Sequence, residues 1–492
     1  MTATAQRLYD RHTVLIDGKW ERPTDGGVLE VVSPSTEEVI GRVPVCNAAD
    51  VDSAVTAARR AFDRGDWARR SGAERGQVLR RAIALLEPKV DEIAHAVTGE
   101  LGQPIRLSST GVPRSLNTAR YFVGLGEQSP TEEIRRGSTV AAVVKEPVGV
   151  VAAIAAWNGP FGLANSKIFP ALAAGCSVVF KPAPETPLDI FYIAEALAEA
   201  GVPDGVFNLV IGGRETGEAL VGHRDVNHVT FTGSTATGRS IGEVCGRDFK
   251  RVQLELGGKS AAIVLDDADL GKTGAGLAFG VFHNSGQVCL AFTRVLVSRR
   301  RYDEVVDILC GAADGMALGD PFDPSTKLGP LVSAAQRDRV ESYIAAGVGE
   351  GASVTRGGRR PAQLPRGYYV EATVFTDVDN SMRISREEIF GPVVSVIPYD
   401  GLDEAIAIAN DSDYGLHGGV FTTDEEKAAY VARSVRTGSF SVNMCMYNVE
   451  APFGGVKSSG IGRDTGLEGF ESFRELKTIN IPESMTHLFG RA

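Results

Sequence analysis

The chain has 492 residues, of which 43% are hydrophobic and 23% are charged, and its formal net charge at pH 7 is −11. This length exceeds one ordinary hydrophobic core and predicts two or three domains of a globular protein. The acidic balance excludes a nucleic-acid partner, because phosphates would be repelled, but it allows a small anionic cofactor held by local donors. The six cysteines are scattered without paired spacing, which argues against a disulfide framework and against a metal site such as zinc.

The ends of the chain and its apolar runs indicate where the protein works. The N-terminal segment has no basic stretch followed by an apolar one, which argues against a secretory signal. The longest apolar runs, such as residues 150–157, are too short to span a membrane. We therefore expect a cytoplasmic protein of enzyme size that has no membrane partner.

The first part of the chain predicts a hairpin followed by helices. Asp17-Gly18 interrupts the short apolar run of residues 14–20, which is a typical hairpin turn. Apolar residues recur at helical spacing in residues 50–62. A second helical stretch covers residues 73–100, and Pro88 is expected to interrupt it.

The rest of the chain alternates short β-branched runs with helical patterns. The predicted strands are residues 150–156, 177–180, 206–211, 228–232, 261–265 and 294–297, and the predicted helices between them include residues 190–200 and 302–316. Such alternation indicates the α/β class, with parallel sheets covered by helices on both faces. We predict two doubly wound parallel-sheet domains that meet near Gly257-Gly258.

Two strand-like segments fit neither of these domains. Residues 131–145 are polar and hairpin-like, and residues 477–481 read as a strand near the C-terminus. Strands of this kind could pair between subunits, which would cover their exposed backbone groups. They predict a small β flap used for oligomerisation.

Cys289 is the first candidate for chemistry. It follows the turn Gly286-Gln287-Val288, whereas the other cysteines are interpreted as small buried hydrophobes. A thiol becomes a strong nucleophile where a helix N-terminus or a cation favours its thiolate, and a glycine-led turn can place backbone N–H groups around it. These features predict a nucleophile that attacks an electrophilic substrate.

Two further residues could assist such a nucleophile. Glu255 ends an alternating strand just before two glycines, and a carboxylate in a partly dry pocket becomes a usable base near neutral pH. Asn158 follows an apolar strand and precedes Gly159-Pro160, where asparagine is usually a turn residue. Its side-chain amide could also donate to a developing oxyanion.

Two strand ends are candidates for holding an anionic ligand. Lys181 lies at the C-terminal end of a predicted strand, where α/β sheets bind ligands. Gly233-Ser234 joins another strand to a helix beginning near Thr235, and a helix N-terminus favours phosphate. The usual glycine-rich dinucleotide fingerprint is absent, so spacing alone gives only weak support for a phosphate site.

Together these segments resemble the aldehyde dehydrogenase superfamily along almost the whole chain. The matching motifs, in chain order, are Trp157-Asn158, Phe180-Lys181-Pro182, Phe231-Thr232-Gly233-Ser234, Glu255-Leu256-Gly257-Gly258-Lys259, Gly286-Gln287-Val288-Cys289, Glu388-Ile389-Phe390-Gly391-Pro392 and Pro452-Phe453-Gly454-Gly455-Val456-Lys457. Each motif is a modest signal alone, and their common order makes the resemblance specific.

The resemblance implies a hydrolytic, NAD(P)-dependent oxidation of an aldehyde to a carboxylic acid. Cys289 would attack the aldehyde, Asn158 and the Cys289 backbone N–H would form the oxyanion hole, and Glu255 would activate the water that hydrolyses the thioester. The residues implied at the cofactor are Lys181 at the adenosine ribose, Trp157, Gly233 and Ser234 near the pyrophosphate, and Glu388 with Phe390 at the nicotinamide ribose.

The resemblance also implies the domain plan. Residues 1–128 and 148–257 would form a Rossmann-like cofactor-binding domain, and residues 258–460 would form the catalytic domain. Residues 129–147 and 470–492 would be oligomerisation segments, giving a homodimer or homotetramer.

The sequence departs from the family pattern at the cofactor. Many NAD-preferring relatives carry a glutamate three residues after the cofactor lysine, and this chain has Pro184 there. Proline offers neither a hydrogen bond to the ribose nor a charge that repels a 2′-phosphate, and Glu185 could compensate. We expect NAD as the cofactor, with NADP as the alternative.

A second departure concerns the substrate tunnel. Many relatives that oxidise small aldehydes have aromatic residues where this chain has Gly159 and Ser166. Losing both rings should widen the tunnel, while apolar side chains such as Phe161, Leu163, Leu290 and Phe453 would still line it. We expect a bulky apolar or aromatic aldehyde rather than acetaldehyde or betaine aldehyde.

Three other functions are alternatives to hydrolytic aldehyde oxidation. A CoA-acylating semialdehyde dehydrogenase would release the thioester to a thiol, but such enzymes commonly lack the glutamate at Glu255. A cysteine hydrolase or acyltransferase would need an activating histidine, for which His283 is the nearest in sequence. A binding protein that lost the chemistry would have no reason to keep Cys289, Glu255 and Asn158 together.

Overall fold

The computed structural model describes residues 9–24 and 27–490. The first eight and last two residues of the predicted domain ranges therefore lie outside the described residues. None of the helices in the described part of the chain is long and apolar enough to cross a membrane.

Hairpins and helices precede the first parallel sheet. They are β1 (Val14–Ile16), β2 (Lys19–Glu21), β3 (Gly27–Val32), β4 (Val39–Val45), α1 (Ala48–Arg64), α2 (Gly72–Leu86), α3 (Val90–Leu101), α4 (Ile105–Gln128), β5 (Glu132–Arg136) and β6 (Val140–Pro147). The hairpin of β1 and β2 turns at Asp17-Gly18, as predicted. A short turn containing Pro88 separates α2 from α3, which confirms the predicted interruption.

The first parallel sheet follows the predicted alternation of strands and helices. Its elements are β7 (Val150–Ile154), α5 (Pro160–Ala174), β8 (Ser177–Lys181), α6 (Ile190–Glu199), β9 (Phe207–Leu209), α7 (Arg214–Gly222), β10 (His228–Thr232), α8 (Thr235–Arg247) and β11 (Arg251–Glu255). The parallel strands have the spatial order β11-β10-β7-β8-β9. All residues of β7 and β8 are buried, as expected for central strands covered on both faces.

The register of this sheet aligns the ends of its strands. Ile154 pairs with Lys181 across β7 and β8, and Thr232 pairs with Glu255 across β10 and β11. The strand order reverses between β7 and β10, which is where open α/β sheets bind ligands outside their carboxyl ends. Residues that end these strands are therefore brought to one edge.

The second sheet is built in the same way. Its elements are β12 (Ser260–Val264), α9 (Leu270–Phe282), β13 (Phe292–Ser298), α10 (Tyr302–Asp314), α11 (Ala334–Gly349), β14 (Ser353–Arg356), β15 (Thr373–Thr376), α12 (Arg383–Arg386), β16 (Val393–Tyr399), α13 (Leu402–Asn410), β17 (Gly418–Phe421), α14 (Glu425–Ser434) and β18 (Ser441–Val442). The spatial order is β14-β15-β16-β13-β12-β17-β18, with only β14 antiparallel to its neighbour.

Alternate side chains of β12 enter two different cores. Ala261 and Ile263 pack on one face with α11, α13 and α14, whereas Ala262 and Val264 pack on the other face with α9 and α10. The sheet is therefore covered by helices on both faces, which confirms the predicted α/β class.

The chain then returns to the first sheet. It forms β19 (Gly460–Ile461), α15 (Gly466–Glu471) and β20 (Arg474–Ile481). Gly460 pairs with Glu255, so β19 lies antiparallel beside β11. The C-terminal segment thus closes the edge of the sheet that ends in Glu255.

The two segments outside the predicted domains form a single small sheet. Its order is β20-β6-β5, and Lys477 pairs with Val144. The predicted hairpin and C-terminal strand are both present, and they pair with each other within the chain. β5 and β20 are the edge strands of this sheet, and its use between subunits remains a prediction.

Candidate active site

The predicted site residues meet where the two sheets face each other. Glu255 ends β11 at the carboxyl edge of the first sheet. Cys289 precedes β13 and Glu388 precedes β16, so both lie at the amino edge of the second sheet. A β-carbon on Gly258 would lie 2.4 Å from the carbonyl oxygen of Cys289, which shows how closely the cysteine turn approaches the link between the sheets.

The turn before Cys289 has an unusual backbone. Asn284 and Ser285 have φ angles of 51° and 58°, and Gly286 continues in the same region with 69°. Left-handed backbone is costly for residues other than glycine and persists where surrounding contacts hold it. Here the Ser285 hydroxyl donates to the Gly329 carbonyl at 2.8 Å, and any side chain on Gly286 would collide with the Gly391 carbonyl.

Asn158 is tied to this turn through its side chain and its backbone. Its Nδ2 donates to the Gln287 carbonyl at 3.1 Å, and its own carbonyl accepts from Asn284 Nδ2 at 2.9 Å. Gln287 is held in turn, because its Oε1 accepts from Val332 N at 2.9 Å. The amide of Asn158 is thus fixed beside the residues that lead into Cys289. The sequence carries no signal for this bracing role of Asn284 and Gln287, although Gln287 belongs to the motif that ends in Cys289.

The Cys289 thiol is held in its neutral form. Burial, followed by the carboxyl groups of Glu388 and Glu255, raises its pKa to about 12. Cys289 follows a short turn and precedes β13, so it does not begin a helix. The expectation that a helix N-terminus or a cation favours the thiolate is therefore not met by the described residues.

Glu255 is buried, with 4% of its surface exposed. Neither carboxyl oxygen has a hydrogen-bond partner among the described residues. Burial raises its pKa well above the usual value, Asp464 raises it further, and Lys167 and Arg463 act in the opposite direction. A carboxyl group in this state can exchange a proton near neutral pH, which a surface glutamate cannot do.

Behind Glu255 lies a buried ion pair that the sequence did not reveal. Lys167 Nζ lies 3.1 Å from Asp464 Oδ2 and 3.0 Å from Thr230 Oγ1, and Lys167 is fully buried. Gln253 donates to Asp464 from the other side. These residues come from α5, β10, β11 and the segment after β19, so only the folded chain brings them together. No spacing signal relates them in the sequence.

A cavity of about 760 Å³ lies at the carboxyl edge of the first sheet. The expected cofactor residues Trp157, Lys181, Gly233 and Ser234 all line it, as do the two departures from the family pattern, Pro184 and Glu185. Ser234 caps α8, since its side chain accepts from the Thr237 N–H. A capped helix N-terminus at a strand switch point fits a ligand with phosphate groups.

Lys181 is a buried hydrogen-bond donor that lines this cavity. It is 5% exposed, and its Nζ donates to the Pro182 carbonyl at 3.0 Å. Burial lowers its pKa to about 8, and Glu185 opposes that shift. Burial raises the pKa of Glu185, so that carboxyl is a weaker negative charge than a surface glutamate. The residues present fit a dinucleotide with hydroxyl and phosphate groups at this end.

Glu388 and Phe390 lie between the cavity and Cys289. Glu388 Oε1 accepts from the Gly258 N–H at 3.0 Å, and burial raises its pKa to about 6. The Phe390 ring meets the edge of Trp157 at 5.2 Å, and Phe390 itself has a φ of 61°. Glu388 thus contacts the link between the sheets and acts on Cys289, and Phe390 contacts a residue that lines the cavity.

The substrate side of the site is open near the start of α5. A β-carbon on Gly159 would meet no atom within 4 Å. The Ser166 hydroxyl donates to the Leu163 carbonyl at 3.0 Å, so this small side chain is satisfied within its own helix. Elsewhere on the chain, Tyr447, on which Cys289 acts electrostatically, contacts Phe453 with ring centroids 5.0 Å apart.

The neutral thiol gives a direct prediction for chemical labelling. The rate of alkylation of the free protein by iodoacetamide should rise about tenfold per pH unit between roughly pH 7 and 9, because the reactive thiolate is a small fraction below the raised pKa. The Cys289→Ala variant supplies the background, since the other cysteines are buried. A rate that is already maximal at neutral pH would contradict the neutral thiol.

Comparison with known proteins agrees with this geometry. Residues 20–479 match the model of the Aldehyde dehydrogenase family. The geranial dehydrogenase of Castellaniella defragrans is 46% identical over 476 residues, covering 96% of this chain and 98% of that protein. A betaine aldehyde dehydrogenase of Rhizobium leguminosarum is 42% identical over 472 residues, covering 95% and 96%.

Solved structures agree as well. A Mycobacterium tuberculosis aldehyde dehydrogenase complexed with NAD+ superposes with a TM-score of 0.95 at 45% identity, covering 96% of this chain and 99% of that one. A Staphylococcus aureus betaine aldehyde dehydrogenase in complex with NAD+ gives a TM-score of 0.93 at 37% identity, covering 95% and 94%. Identity this high over nearly the full length shows that the chain belongs to the aldehyde dehydrogenase family, the oxidoreductases that act on aldehydes.

Proposed function

We propose that this enzyme oxidises a bulky apolar or aromatic aldehyde to its carboxylic acid with NAD(P)+, through a thioester on Cys289 that water hydrolyses. One observation carries the proposal. The Cys289 thiol, the braced amide of Asn158 and the unpaired buried carboxyl of Glu255 occupy one site at the meeting edge of the two sheets.

In the first stage Cys289 bonds to the aldehyde carbon. The thiol gives its proton to water or to the ionised form of Glu255, sulfur bonds to the carbonyl carbon, and the carbonyl oxygen becomes an oxyanion. Asn158 Nδ2 and the Cys289 backbone N–H are the donors for that oxyanion, and one such donor contributes about 2.7–4 kcal/mol to the transition state. When bound, the oxidised nicotinamide supplies the acceptor for the hydride on the same carbon. Loss of that hydride leaves a thioester on Cys289.

In the second stage Glu255 acts on water. Its ionised form takes a proton from the water that attacks the thioester carbon, and the acid and the free thiol are released. The pKa of Glu255 is raised, so the carboxylate needed for this step is lost as the pH falls through that raised value. Hydrolysis should therefore slow on acidification at a higher pH than an exposed glutamate would allow.

The same observations bear on the alternative functions. Release of the thioester to CoA needs no general base, whereas Glu255 is present and lies in the site. A hydrolase would need a basic histidine, but burial lowers the pKa of His283 to about 4, and its ring packs against Phe279 at 4.5 Å. Both alternatives therefore explain less of the structure.

NAD is the proposed cofactor, with NADP as a second candidate. Two similar structures carry NAD+, and the cavity of this chain holds the expected lysine and capped helix. Pro184 supplies no carboxylate at the lysine end of the cavity. The neighbouring Glu185 does carry one, but burial raises its pKa, which disfavours its charged form. A 2′-phosphate would consequently meet little repulsion there.

The open wall of the site supports a bulky substrate. Gly159 leaves space, Ser166 is small, and a relative of 46% identity is named for geranial, a long apolar aldehyde. Relatives named for betaine aldehyde are similar at 42%, so family likeness alone does not select the substrate.

We also propose that the enzyme is a cytoplasmic homodimer or homotetramer. The edge strand β20 carries Leu476, which is 66% exposed. An exposed strand edge with an apolar side chain is stabilised when a second copy covers it.

The reaction is tested by NADH formation from an aldehyde in the absence of CoA. The Cys289→Ala variant should lose at least about a thousandfold in turnover, because no thioester can form. Glu255→Gln should lose steady-state turnover while still giving one burst of NADH per site, because it blocks mainly hydrolysis. Cys310→Ala, which changes a buried cysteine of α10, is the matched control. Activity that requires CoA would instead favour the acylating reaction.

The cofactor is tested at Pro184. Pro184→Glu should lower kcat/KM for NADP by about tenfold relative to NAD, since it places a carboxylate beside the 2′ position. Pro184→Gln has the same shape without the charge and should leave that ratio nearly unchanged. Equal effects of both variants on both cofactors would contradict an unguarded 2′ position.

The size of the substrate is tested with acetaldehyde and cinnamaldehyde. The natural chain should have the higher kcat/KM for cinnamaldehyde. Ser166→Phe should reduce that value by at least about tenfold and affect acetaldehyde much less, because a ring refills the open wall. Ser166→Ala controls for loss of the hydroxyl. A strong preference of the natural chain for acetaldehyde would refute the bulky substrate.

A further inference from the structure

The approach to Cys289 from solvent is bounded by α4, by the end of α9 and by the loop of residues 443–453. The Tyr121 hydroxyl of α4 donates to the Glu450 carbonyl at 3.4 Å, which ties the helix to the loop. On the loop, Tyr447 contacts Phe453. At the end of α9, Phe279 packs on His283. The walls of this approach are therefore mainly aromatic.

Arg114 adds a charge to these walls. It lies seven residues before Tyr121 on α4, which is two helical turns, so both side chains lie on the same face. Its side chain is exposed, and it has neither an ion pair nor a hydrogen bond to any described residue. By contrast, Arg120 on the same helix is bound to Glu87 and to Asn117. The positive charge of Arg114 is thus left uncompensated.

The influence of this charge reaches the inner end of the approach. The pKa of His283 is lowered first by burial and then by Arg106 and Arg114. Burial and Cys289 raise the pKa of Tyr447, and Arg114 opposes them. Arg114 therefore acts on two groups that are distant in sequence, one directly after α9 and one on the loop.

Carboxylates also lie near these walls. The pKa of Tyr121 is raised first by burial and then by the charges of Glu450 and Glu468. Those two acids thus act on Tyr121, whereas Arg114 acts on His283 and Tyr447. Inside the site, burial raises the pKa of Cys289 and of Glu255, which favours their neutral forms, and Glu388 accepts from the Gly258 N–H.

We propose that Arg114 is a specificity-determining residue that disfavours cationic aldehydes, so that the enzyme selects neutral ones from among bulky substrates. This inference rests on the proposed function, because it concerns the aldehyde that reaches Cys289. A trimethylammonium group entering between the aromatic walls would otherwise be attracted by their ring faces. Repulsion by the unpaired guanidinium counteracts that attraction, whereas a hydrocarbon of equal shape loses nothing.

The test uses two aldehydes of the same shape. Betaine aldehyde carries a trimethylammonium group, and 3,3-dimethylbutanal carries a tert-butyl group in its place. Each variant is compared with the natural chain on the same aldehyde, so the different hydration of the two aldehydes cancels. The readout is the ratio of kcat/KM for betaine aldehyde to kcat/KM for 3,3-dimethylbutanal.

Arg114→Gln should raise this ratio by about fivefold at low ionic strength, the order expected for one unit charge several ångströms from the substrate near a protein surface. Arg114→Lys keeps the charge and should leave the ratio close to that of the natural chain. Arg433→Gln removes the same net charge from α14 and is the matched control. The effect of Arg114→Gln should shrink as salt is raised to about 0.15 M, where the Debye length is about 8 Å.

An unchanged ratio in Arg114→Gln, or an equal change in Arg433→Gln, would overturn the role of Arg114 while leaving aldehyde oxidation intact. Failure of the natural chain to form NADH or NADPH from any aldehyde would instead overturn the proposed function. The two failures are therefore distinguishable in one set of measurements.

Discussion

The burial of Glu255 is the constraint on which the rest of the site depends. A buried carboxyl group without a hydrogen-bond partner costs several kcal/mol, of the order of 1–3 for the lost hydrogen bonds alone and more when the group is charged. Backbone pairing on both sides holds this residue in place. Thr232 and Gly460 pair with it from the two neighbouring strands, and Gly233 donates to its carbonyl at 3.0 Å. The side chain is therefore positioned without any bond to its own oxygens, which leaves them available to water and substrate.

The same burial sets the protonation of the site at rest. Glu255 raises the pKa of Cys289, because a carboxylate would repel a thiolate in a poorly solvated site. A bound cation such as the oxidised nicotinamide would favour both ionised forms. If Cys289 is the nucleophile, as proposed, its reactivity in the free protein is limited by the small thiolate fraction below its raised pKa.

The meeting of two sheets also separates the two ligands. The first sheet offers its carboxyl ends, where the cavity of about 760 Å³ holds Lys181 and Ser234. The second sheet contributes from the amino ends of its strands, since Cys289 and Glu388 precede β13 and β16. On the proposed function the dinucleotide and the aldehyde would enter from different sides, and changes at Pro184 and at Ser166 would act on different ligands.

Sequence patterns determined the elements of this protein and the identity of its chemical groups. The spacing of apolar residues and the positions of turn residues predicted the strands that end in Lys181, Thr232 and Glu255. This was possible because backbone preference and burial on both faces of a strand depend on residues that are close in sequence. Motif order supplied Cys289 and Asn158. Tertiary structure alone decided how those groups behave. The pKa of Cys289, the pairing of Lys167 with Asp464 and the unpaired charge of Arg114 each depend on residues distant in sequence. Desolvation and Coulomb forces act through space, so their effect cannot be read from any local stretch of the chain.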